Sequence, residues 1–203
     1  MPAHCAPPSS GRSVALVEKG KVGGTCLHAG CIPTKALLHA GEIADATRES
    51  AQFGVRVTLD GIDMIGLNAY KDSVVSRLYK GLTRLIEDRG IAVVEGRGSL
   101  VAPDTVEVDG RRYVGRHIVL ASGSYSRSLP GLEIDGERVL SSEQALRHDR
   151  VPEAVVLLGG GVISCEFASA WRSLGAEDTI VEVLDCSRQR TRPRRSSLPE
   201  ARR

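Results

Sequence analysis

The chain has 203 residues and is 41% hydrophobic but only 3% aromatic, so it can bury one sizeable core built from aliphatic side chains. It contains no apolar run of membrane-spanning length and no basic start followed by an apolar stretch, which argues against a membrane or secreted protein. Its five cysteines, an odd number at irregular spacing, do not form a secreted disulfide framework. These features together predict a protein of the reducing cytoplasm.

The net charge of +2 is unevenly distributed along the chain. Positions 187–203 hold seven arginines and one glutamate, whereas positions 1–186 hold 20 basic and 24 acidic side chains. A basic tail could bind nucleic acid, but this one has no aromatic residue and no helical apolar face to organise it. We therefore expect no nucleic-acid partner and interpret the tail as a solvated, disordered segment or as the product of a shifted reading frame.

Taken in chain order, the hydrophobic pattern predicts alternating strands and helices. The run SVALVE at 13–18 is apolar and β-branched and ends in Glu18, as a buried parallel strand does. The predicted helices span 33–50 and 62–89, and the second has apolar residues at three- and four-residue spacing. Further strands are predicted at 92–95, 105–108, 117–121, 154–158 and 179–182, with turns at 103–104 and 109–110. The pattern as a whole indicates a mixed α/β chain.

The segment from Gly23 to Lys35 reads GGTCLHAGCIPTK and places Cys26 and Cys31 five residues apart. On a regular helix this spacing would separate them by about 7.5 Å of rise and roughly 140° of rotation, which a disulfide tolerates poorly. Gly30 lets the backbone turn between them, and Pro33 suits the first turn of a helix. We therefore expect Cys31 at a helix N-terminus, which favours a thiolate, and Cys26 in the preceding loop, more accessible for exchange.

This pattern predicts a redox-active disulfide. One alternative is two unrelated buried cysteines. A zinc site is disfavoured because CxxxxC is a poor zinc spacing and no second ligand pair follows, so no metal is expected.

A second motif follows the predicted strand at 154–158. Gly159, Gly161 and Ser164 form a GxGxxS pattern that opens a helix, and Glu182 closes the next strand 21 residues after Gly161. At this spacing an acidic side chain reaches the ribose hydroxyls of a dinucleotide bound over the helix N-terminus. A carboxylate repels a 2′-phosphate, so the motif predicts a site for NAD rather than NADP. A purely structural glycine turn is the alternative.

The stretch GGTCLHAGCIPTKALLHAGEI resembles the active-site helix of the flavin-dependent pyridine nucleotide disulfide oxidoreductases, and most closely that of their dihydrolipoamide dehydrogenase branch. The resemblance implies Rossmann-like FAD- and NAD-binding domains, here incomplete. It implies that Cys26 exchanges with the dithiol, that Cys31 contacts the flavin as a charge-transfer thiolate, and that Lys35 lies near the flavin. His28 and His39 are interpreted as packing or surface histidines.

The implied reaction carries electrons from dihydrolipoamide through the disulfide and FAD to NAD+. The implied partners are the lipoyl domain of a 2-oxoacid dehydrogenase complex and, in intact members, a second copy of the chain. The glutathione and mercuric reductase branches share the disulfide motif, and a non-catalytic fragment is a further alternative.

The resemblance also assigns cofactor contacts. Glu18 stands where the family binds the adenosine ribose of FAD, and the other FAD contacts implied are Gly24, Thr25, Gly98, Ser122, Gly123 and Ser124. The NAD contacts are Gly159, Gly161, Ser164 and Glu182. Ser122 stands in place of the usual threonine, and Ser164 stands in place of the third glycine, which packs helix against strand.

The resemblance covers about residues 13–185 and divides the chain into four parts. These are an atypical leader (1–12), a partial FAD-binding domain with the disulfide (13–150), the start of an NAD-binding domain (151–186) and the basic tail (187–203). The glycine loop of the FAD domain is expected roughly 20 residues before Glu18, and therefore before Met1. The histidine base of the family lies in an interface domain downstream, so the isolated chain is expected to be inactive.

Overall fold

A computed structural model describes residues 12–183. The predicted basic tail, residues 184–186 of the predicted NAD-binding domain and all but the last residue of the predicted leader lie outside this range. The helices are α1 (Gly24–Ala29), α2 (Cys31–Glu49), α3 (Met64–Asp88), α4 (Ser142–Ala145) and α5 (Val162–Leu174), with a 3-10 turn at Ser50–Phe53. The strands are β1 (Ala15–Glu18), β2 (Ala92–Glu95), β3 (Ser99–Ala102), β4 (Thr105–Val108), β5 (Arg111–Val114), β6 (Ala154–Leu158) and β7 (Glu177–Val181).

The described strands form three small sheets. β1 pairs with β2 in parallel, and β6 pairs with β7 in parallel across α5. β3, β4 and β5 form an antiparallel meander between these two units along the chain. Two parallel pairs with helical crossovers confirm the predicted α/β class.

Most predicted elements are present, but the strand predicted at 117–121 is wrong. These residues pair with no neighbouring strand, and Val119 and Leu120 are 87% and 71% exposed. Apolar, β-branched residues favour a strand only where a partner satisfies their backbone hydrogen bonds, and no strand within residues 12–183 pairs with this segment. The structure also adds α1, β3, β5 and α4, for which the sequence carries only weak patterns.

Helix α2 begins at Cys31, two residues before the proline that was expected to start it. Pro33 still fits because the first four amides of a helix have no partner within the helix, so its missing N–H costs nothing there. Thr34 closes this first turn, since its amide and its hydroxyl both donate to the Gly30 carbonyl, at 3.1 and 2.7 Å. The N-terminus of α2 is therefore fixed directly beside Cys31.

The other helix ends have equally local causes. Asp63 caps α3, because its carboxylate accepts from the amides of Ile65 and Gly66 at 3.0 Å each. At the far end of α5, Gly175 has a φ of 112°, a left-handed conformation that suits glycine and ends the helix.

One hydrophobic core lies between α2, α3 and α5. Its most buried members include Leu37 of α2, Met64 of α3 and Trp171 of α5, at 2%, 4% and 3% exposure. The indole of Trp171 also meets the ring of His148 edge-on, with centroids 6.3 Å apart. Among the described helices, none combines the length and apolar character needed to cross a bilayer. This core places α2, which begins at Cys31, directly against α5, which follows the second glycine motif.

Candidate redox and dinucleotide site

The two cysteines lie on two helices that meet at a single glycine. Cys26 is in α1, six residues long, and Cys31 is the first residue of α2. Gly30, between them, has φ −136° and ψ −118°. A Cβ there would lie 2.9 Å from the Thr25 carbonyl oxygen and 3.2 Å from the Cys26 Cα. Only a glycine therefore lets α1 fold back against the start of α2.

The expected position of Cys31 at a helix N-terminus is confirmed, whereas the expectation that Cys26 lies in a loop was wrong. The residues GTCLHA form a helix because Leu27 turns inward and is buried. The sequence did not predict this short helix, because the neighbouring glycines have a low helix propensity.

Cys26 and Cys31 are both exposed and are present as free thiols. The side-chain hydrogen bond with Cys31 raises the pKa of the Cys26 thiol above its ordinary value. Hydrogen bonds from the backbone amides of Cys31 and Ile32, the first two residues of α2, act in the opposite direction and lower the pKa of Cys26 by a smaller amount.

Lys35, one turn after Cys31, is ion-paired with Glu166 of α5. The hydrogen bond to the Glu166 carboxylate raises the pKa of Lys35, and the nearby cysteines act in the same direction. The lysine therefore holds a positive charge between the thiols and the second glycine motif. The partner is 131 positions away in the chain, so sequence reasoning missed Glu166.

An open cleft lies at the carboxyl end of β1. It is lined by Glu18, Lys21, Gly24, Thr25, His28, Asp72, Val75, Ser76, Tyr79 and Arg147. The Glu18 carboxylate accepts from the Gly20 amide at 3.0 Å, and a Cβ on Gly24 would meet nothing within 4 Å. Two carboxylates, Glu18 and Asp72, two cations, Lys21 and Arg147, and uncovered backbone suit a ligand that carries both hydroxyls and phosphates. Three of the predicted FAD contacts, Glu18, Gly24 and Thr25, are brought together here.

The other predicted FAD contacts do not line this cleft. A Cβ on Gly98 would lie 3.0 Å from Val17 and 3.1 Å from Val106, so close packing already accounts for the glycine. Ser122, Gly123 and Ser124 lie in an exposed segment without helix or strand, where Gly123 has a φ of 78°. Their predicted contacts with FAD stay predictions.

The second glycine motif forms the turn between β6 and α5. Gly159 has a φ of 93°, and Gly161 caps the helix. The Gly160 amide donates to the Glu182 carboxylate at 2.6 Å, and a Cβ on Gly160 would lie 3.1 Å from that oxygen. The predicted carboxylate is thus beside the glycine loop, at the end of the adjacent strand β7.

A shallow cleft opens over this loop and over the first turns of α5. It is lined by Leu38, Gly160, Gly161, Val162, Cys165, Glu166 and Ser169. Ser164 is half-buried in the first turn of α5. Free amides at a helix N-terminus and a carboxylate at the next strand end fit the pyrophosphate and a ribose of a dinucleotide. Glu166, which lines this cleft, is ion-paired with Lys35, and Lys35 lies one turn after Cys31. This ion pair connects the cleft with the cysteine pair.

Residues 3–197 match the family model described as pyridine nucleotide-disulphide oxidoreductase. The chain is 40% identical over 182 residues to dihydrolipoyl dehydrogenase 2 of Haloarcula marismortui, covering 86% of the chain and 38% of that protein. It is 37% identical over 188 residues to a dihydrolipoyl dehydrogenase of Bacillus subtilis, covering 86% of the chain and 40% of the relative. The chain therefore spans about two-fifths of the length of these relatives.

Solved structures agree with the fold. LpdA of Mycobacterium tuberculosis superimposes with a TM-score of 0.75 at 23% identity, over 83% of the chain and 38% of that protein. The HOCl-induced flavoprotein disulfide reductase RclA of Escherichia coli gives a TM-score of 0.70 at 28% identity, over 85% of the chain and 37% of that protein. These likenesses support the α/β architecture expected of a flavoprotein disulfide reductase.

Proposed function

Because the chain belongs to the pyridine nucleotide-disulphide oxidoreductase family, whose members use FAD and NAD, we propose that it carries the disulfide half-site of a dihydrolipoyl dehydrogenase. The observation that supports this most directly is the exposed pair Cys26 and Cys31, which the close backbone approach at Gly30 brings together at the start of α2. Two exposed thiols, one within α1 and one at the first residue of the adjoining α2, form the dithiol of this proposal. The branch of the family follows from the named relatives.

The proposed half-reaction is a thiol–disulfide exchange in two steps. One thiolate of dihydrolipoamide attacks Cys26, forms a mixed disulfide with it and releases Cys31 as a thiolate. The second thiolate of the substrate then attacks the mixed disulfide, closes the lipoamide ring and releases Cys26. The substrate loses two electrons and two protons, and the Cys26–Cys31 disulfide becomes two thiols. The Cys31 and Ile32 amides stabilise negative charge on the Cys26 sulfur as it leaves.

The cleft at the end of β1 fits FAD in its chemistry, and we assign Glu18, Gly24 and Thr25 to it. When bound, FAD would supply an acceptor for the electron pair of the thiols and a route for that pair to NAD+. In this assignment Glu18 accepts hydrogen bonds from ribose hydroxyls, while Gly24 leaves the backbone open to close approach. Gly98 and residues 122–124 are further proposed contacts in an FAD-binding domain spanning 13–150.

The glycine turn after β6 fits NAD in the same way. Gly159 and Gly161 leave room for a pyrophosphate, since a Cβ on either would meet nothing within 4 Å. Ser164 lies in the first turn of α5, which the pyrophosphate would cover. The Glu182 carboxylate, which accepts from the Gly160 amide in this structure, would instead accept from ribose hydroxyls. These residues belong to the proposed NAD-binding domain that begins at 151.

The remaining assignments follow from the same branch of the family. The dithiol substrate would be carried by the lipoyl domain of a 2-oxoacid dehydrogenase complex, which would bring it to Cys26. The enzyme would act in the cytoplasm as a homodimer. Glutathione and mercuric reductase activities are the competing assignments. Glu182 disfavours the NADP-dependent ones, since its carboxylate repels a 2′-phosphate.

The half-reaction can be measured without bound cofactor. The oxidised full chain is mixed with dihydrolipoamide, and newly formed thiols are alkylated and located by peptide mass spectrometry. We expect the peptides bearing Cys26 and Cys31 to change from disulfide-linked to alkylated. Glutathione in place of dihydrolipoamide tests the competing substrate, and absorbance of chain mixed with FAD tests the cofactor.

Cys165→Ser is the matched control, because this thiol is half-buried in α5 and its own hydrogen bond goes to the Gly160 carbonyl at 3.6 Å. It should leave the exchange unchanged, whereas Cys26→Ser and Cys31→Ser should abolish formation of the disulfide. A wild-type chain that forms no Cys26–Cys31 disulfide in an oxidising glutathione buffer would contradict the proposed function.

A further inference from the structure

We propose that His28 is a positioning residue that holds α1, and with it the Cys26 sulfur, in place against Cys31. This inference rests on the proposed function, since it concerns how readily the two thiols form their disulfide. His28 lies in the last turn of α1, two residues after Cys26, and its side chain is partly buried.

A hydrogen bond ties His28 to the loop that precedes α1. Its Nε2 lies 2.9 Å from the Val22 carbonyl oxygen. A carbonyl oxygen only accepts, so Nε2 carries the proton and donates. The bond forms with a neutral or a charged imidazole, because Nε2 is protonated in both. Val22 is itself buried, at 8% exposure, so the acceptor is firmly placed.

A ring contact ties His28 to α3. The imidazole and the Tyr79 ring meet edge-on, with centroids 5.3 Å apart and planes inclined by 65°. On its other side the ring approaches the Gly23 backbone, where an added Cβ would lie 3.2 Å from Nε2. His28 therefore contacts the preceding loop and α3 at once.

These contacts determine the orientation of α1, because a helix of this length is not stable alone. An isolated helix of fewer than about 12 residues is marginal in water, so the six residues of α1 take their orientation from tertiary contacts. Cys31, by contrast, starts the 19-residue helix α2, which the core holds. The separation of the two sulfurs then depends on α1, whose inward anchors are Leu27 and His28.

The consequence is thermodynamic. In a glutathione buffer, Cys26 and Cys31 lose two hydrogens to glutathione disulfide, forming their own disulfide and two glutathione thiols. A loosened α1 lowers the effective concentration of one thiol at the other, which weakens the protein disulfide relative to glutathione disulfide. His28 exchanges no electrons and only sets the geometry.

The test measures this equilibrium constant for the full chain and for two substitutions. His28→Phe keeps a ring against Tyr79 but cannot donate to Val22, and we expect the constant to fall about tenfold, a shift of about 30 mV toward a more oxidising potential. His28→Gln places an amide donor near the same carbonyl and should recover most of the loss. His39→Phe is the control, since this exposed histidine of α2 pairs with Glu42, three residues along the same helix, and should change nothing.

Circular dichroism confirms that each variant folds, and if His28→Phe does not, His28→Leu, which also cannot donate to Val22, takes its place with the same expected fall. His28→Phe and His28→Gln constants both within twofold of wild type would overturn the positioning role while leaving the proposed function intact. A wild-type chain that forms no disulfide at any glutathione ratio would overturn both.

Discussion

The thiol of Cys26 is subject to two opposing influences from its immediate surroundings. The amides of Cys31 and Ile32 favour its thiolate, whereas the hydrogen bond with the Cys31 side chain favours its protonated form. The second influence is larger, so the pKa of Cys26 is raised. In the reduced protein, the shared proton therefore keeps Cys26 less reactive than the helix amides alone would make it.

Replacing Cys31 with alanine should therefore make Cys26 more reactive. The substitution removes the side-chain hydrogen bond that raises the Cys26 pKa but keeps both backbone amides that lower it. The pKa then falls, so more thiolate is present at a fixed pH near 8 and the reaction with iodoacetamide is severalfold faster. The alkylation rate of the peptide bearing Cys26, measured against pH, checks this. A midpoint that is unchanged or higher in Cys31→Ala would contradict it, with Cys165→Ser as the control.

Single residues also show what the sequence could reveal about the site. The cysteine pair, Gly30 and Glu182 were recognisable because their spacing along the chain has a direct geometric meaning. Lys35 was placed near the site by family resemblance, but its partner Glu166 was not found, because an ion pair across 131 positions leaves no local pattern. The sequence leaves open whether His28 is a packing or a surface histidine, and the structure shows it partly buried against Val22 and Tyr79.

At the scale of elements, the contact between α2 and α5 determines how the two halves of the site meet. Gly41 of α2 faces Ser173 of α5, and a Cβ on it would lie 2.9 Å from the serine Cβ. Beside this contact Arg48 donates to the Ser173 carbonyl at 2.6 Å, and the Ser173 hydroxyl donates to Asp45 at 2.6 Å. With the Lys35–Glu166 pair farther along, polar contacts fasten both ends of the crossing.

Two glycine substitutions test this close approach. Gly81→Ala in α3 has open space around it, so the better helix propensity of alanine should raise the free energy of unfolding by about 0.5–1 kcal/mol. Gly41→Ala gains the same propensity but pushes α2 from α5, and we expect a net loss of about 1–2 kcal/mol. Urea unfolding followed by Trp171 fluorescence measures both. Equal stabilisation by the two substitutions would show that the helices do not meet as closely as described.

The elements themselves divide into those with strong local signals and those without. β2, β4 and β6 coincide with the predicted strands because short runs rich in β-branched residues and bounded by turns are typical of strands. The turn at 109–110 was equally readable, since Asp109 and Gly110 both have positive φ, as a two-residue hairpin requires. The segment 117–121 has the same kind of pattern without a partner strand, and pairing is a tertiary property that no local pattern contains.

On the scale of the whole molecule, the core crosses the predicted boundary between the FAD and NAD domains at 150. Leu37 and Met64 lie before it, Trp171 and Leu174 lie after it, and all belong to one buried cluster. A chain whose two predicted domains share a core should unfold as one unit over its described part. The redox helix and the dinucleotide helix would then lose their structure together.

Replacing Trp171 with alanine tests this coupling. Truncating a buried tryptophan costs about 3–5 kcal/mol, a large share of the roughly 5–15 kcal/mol that stabilises a typical domain. If the core is shared, the substitution must destabilise α2 as well as α5, although α2 lies on the other side of the predicted boundary. Hydrogen exchange followed by mass spectrometry should show faster exchange in peptides from both helices, to a similar extent. Ser169→Ala on the exposed side of α5 should leave both unchanged. Faster exchange confined to α5 would mean that the two halves fold separately and that the cysteine pair is stable without the dinucleotide helix.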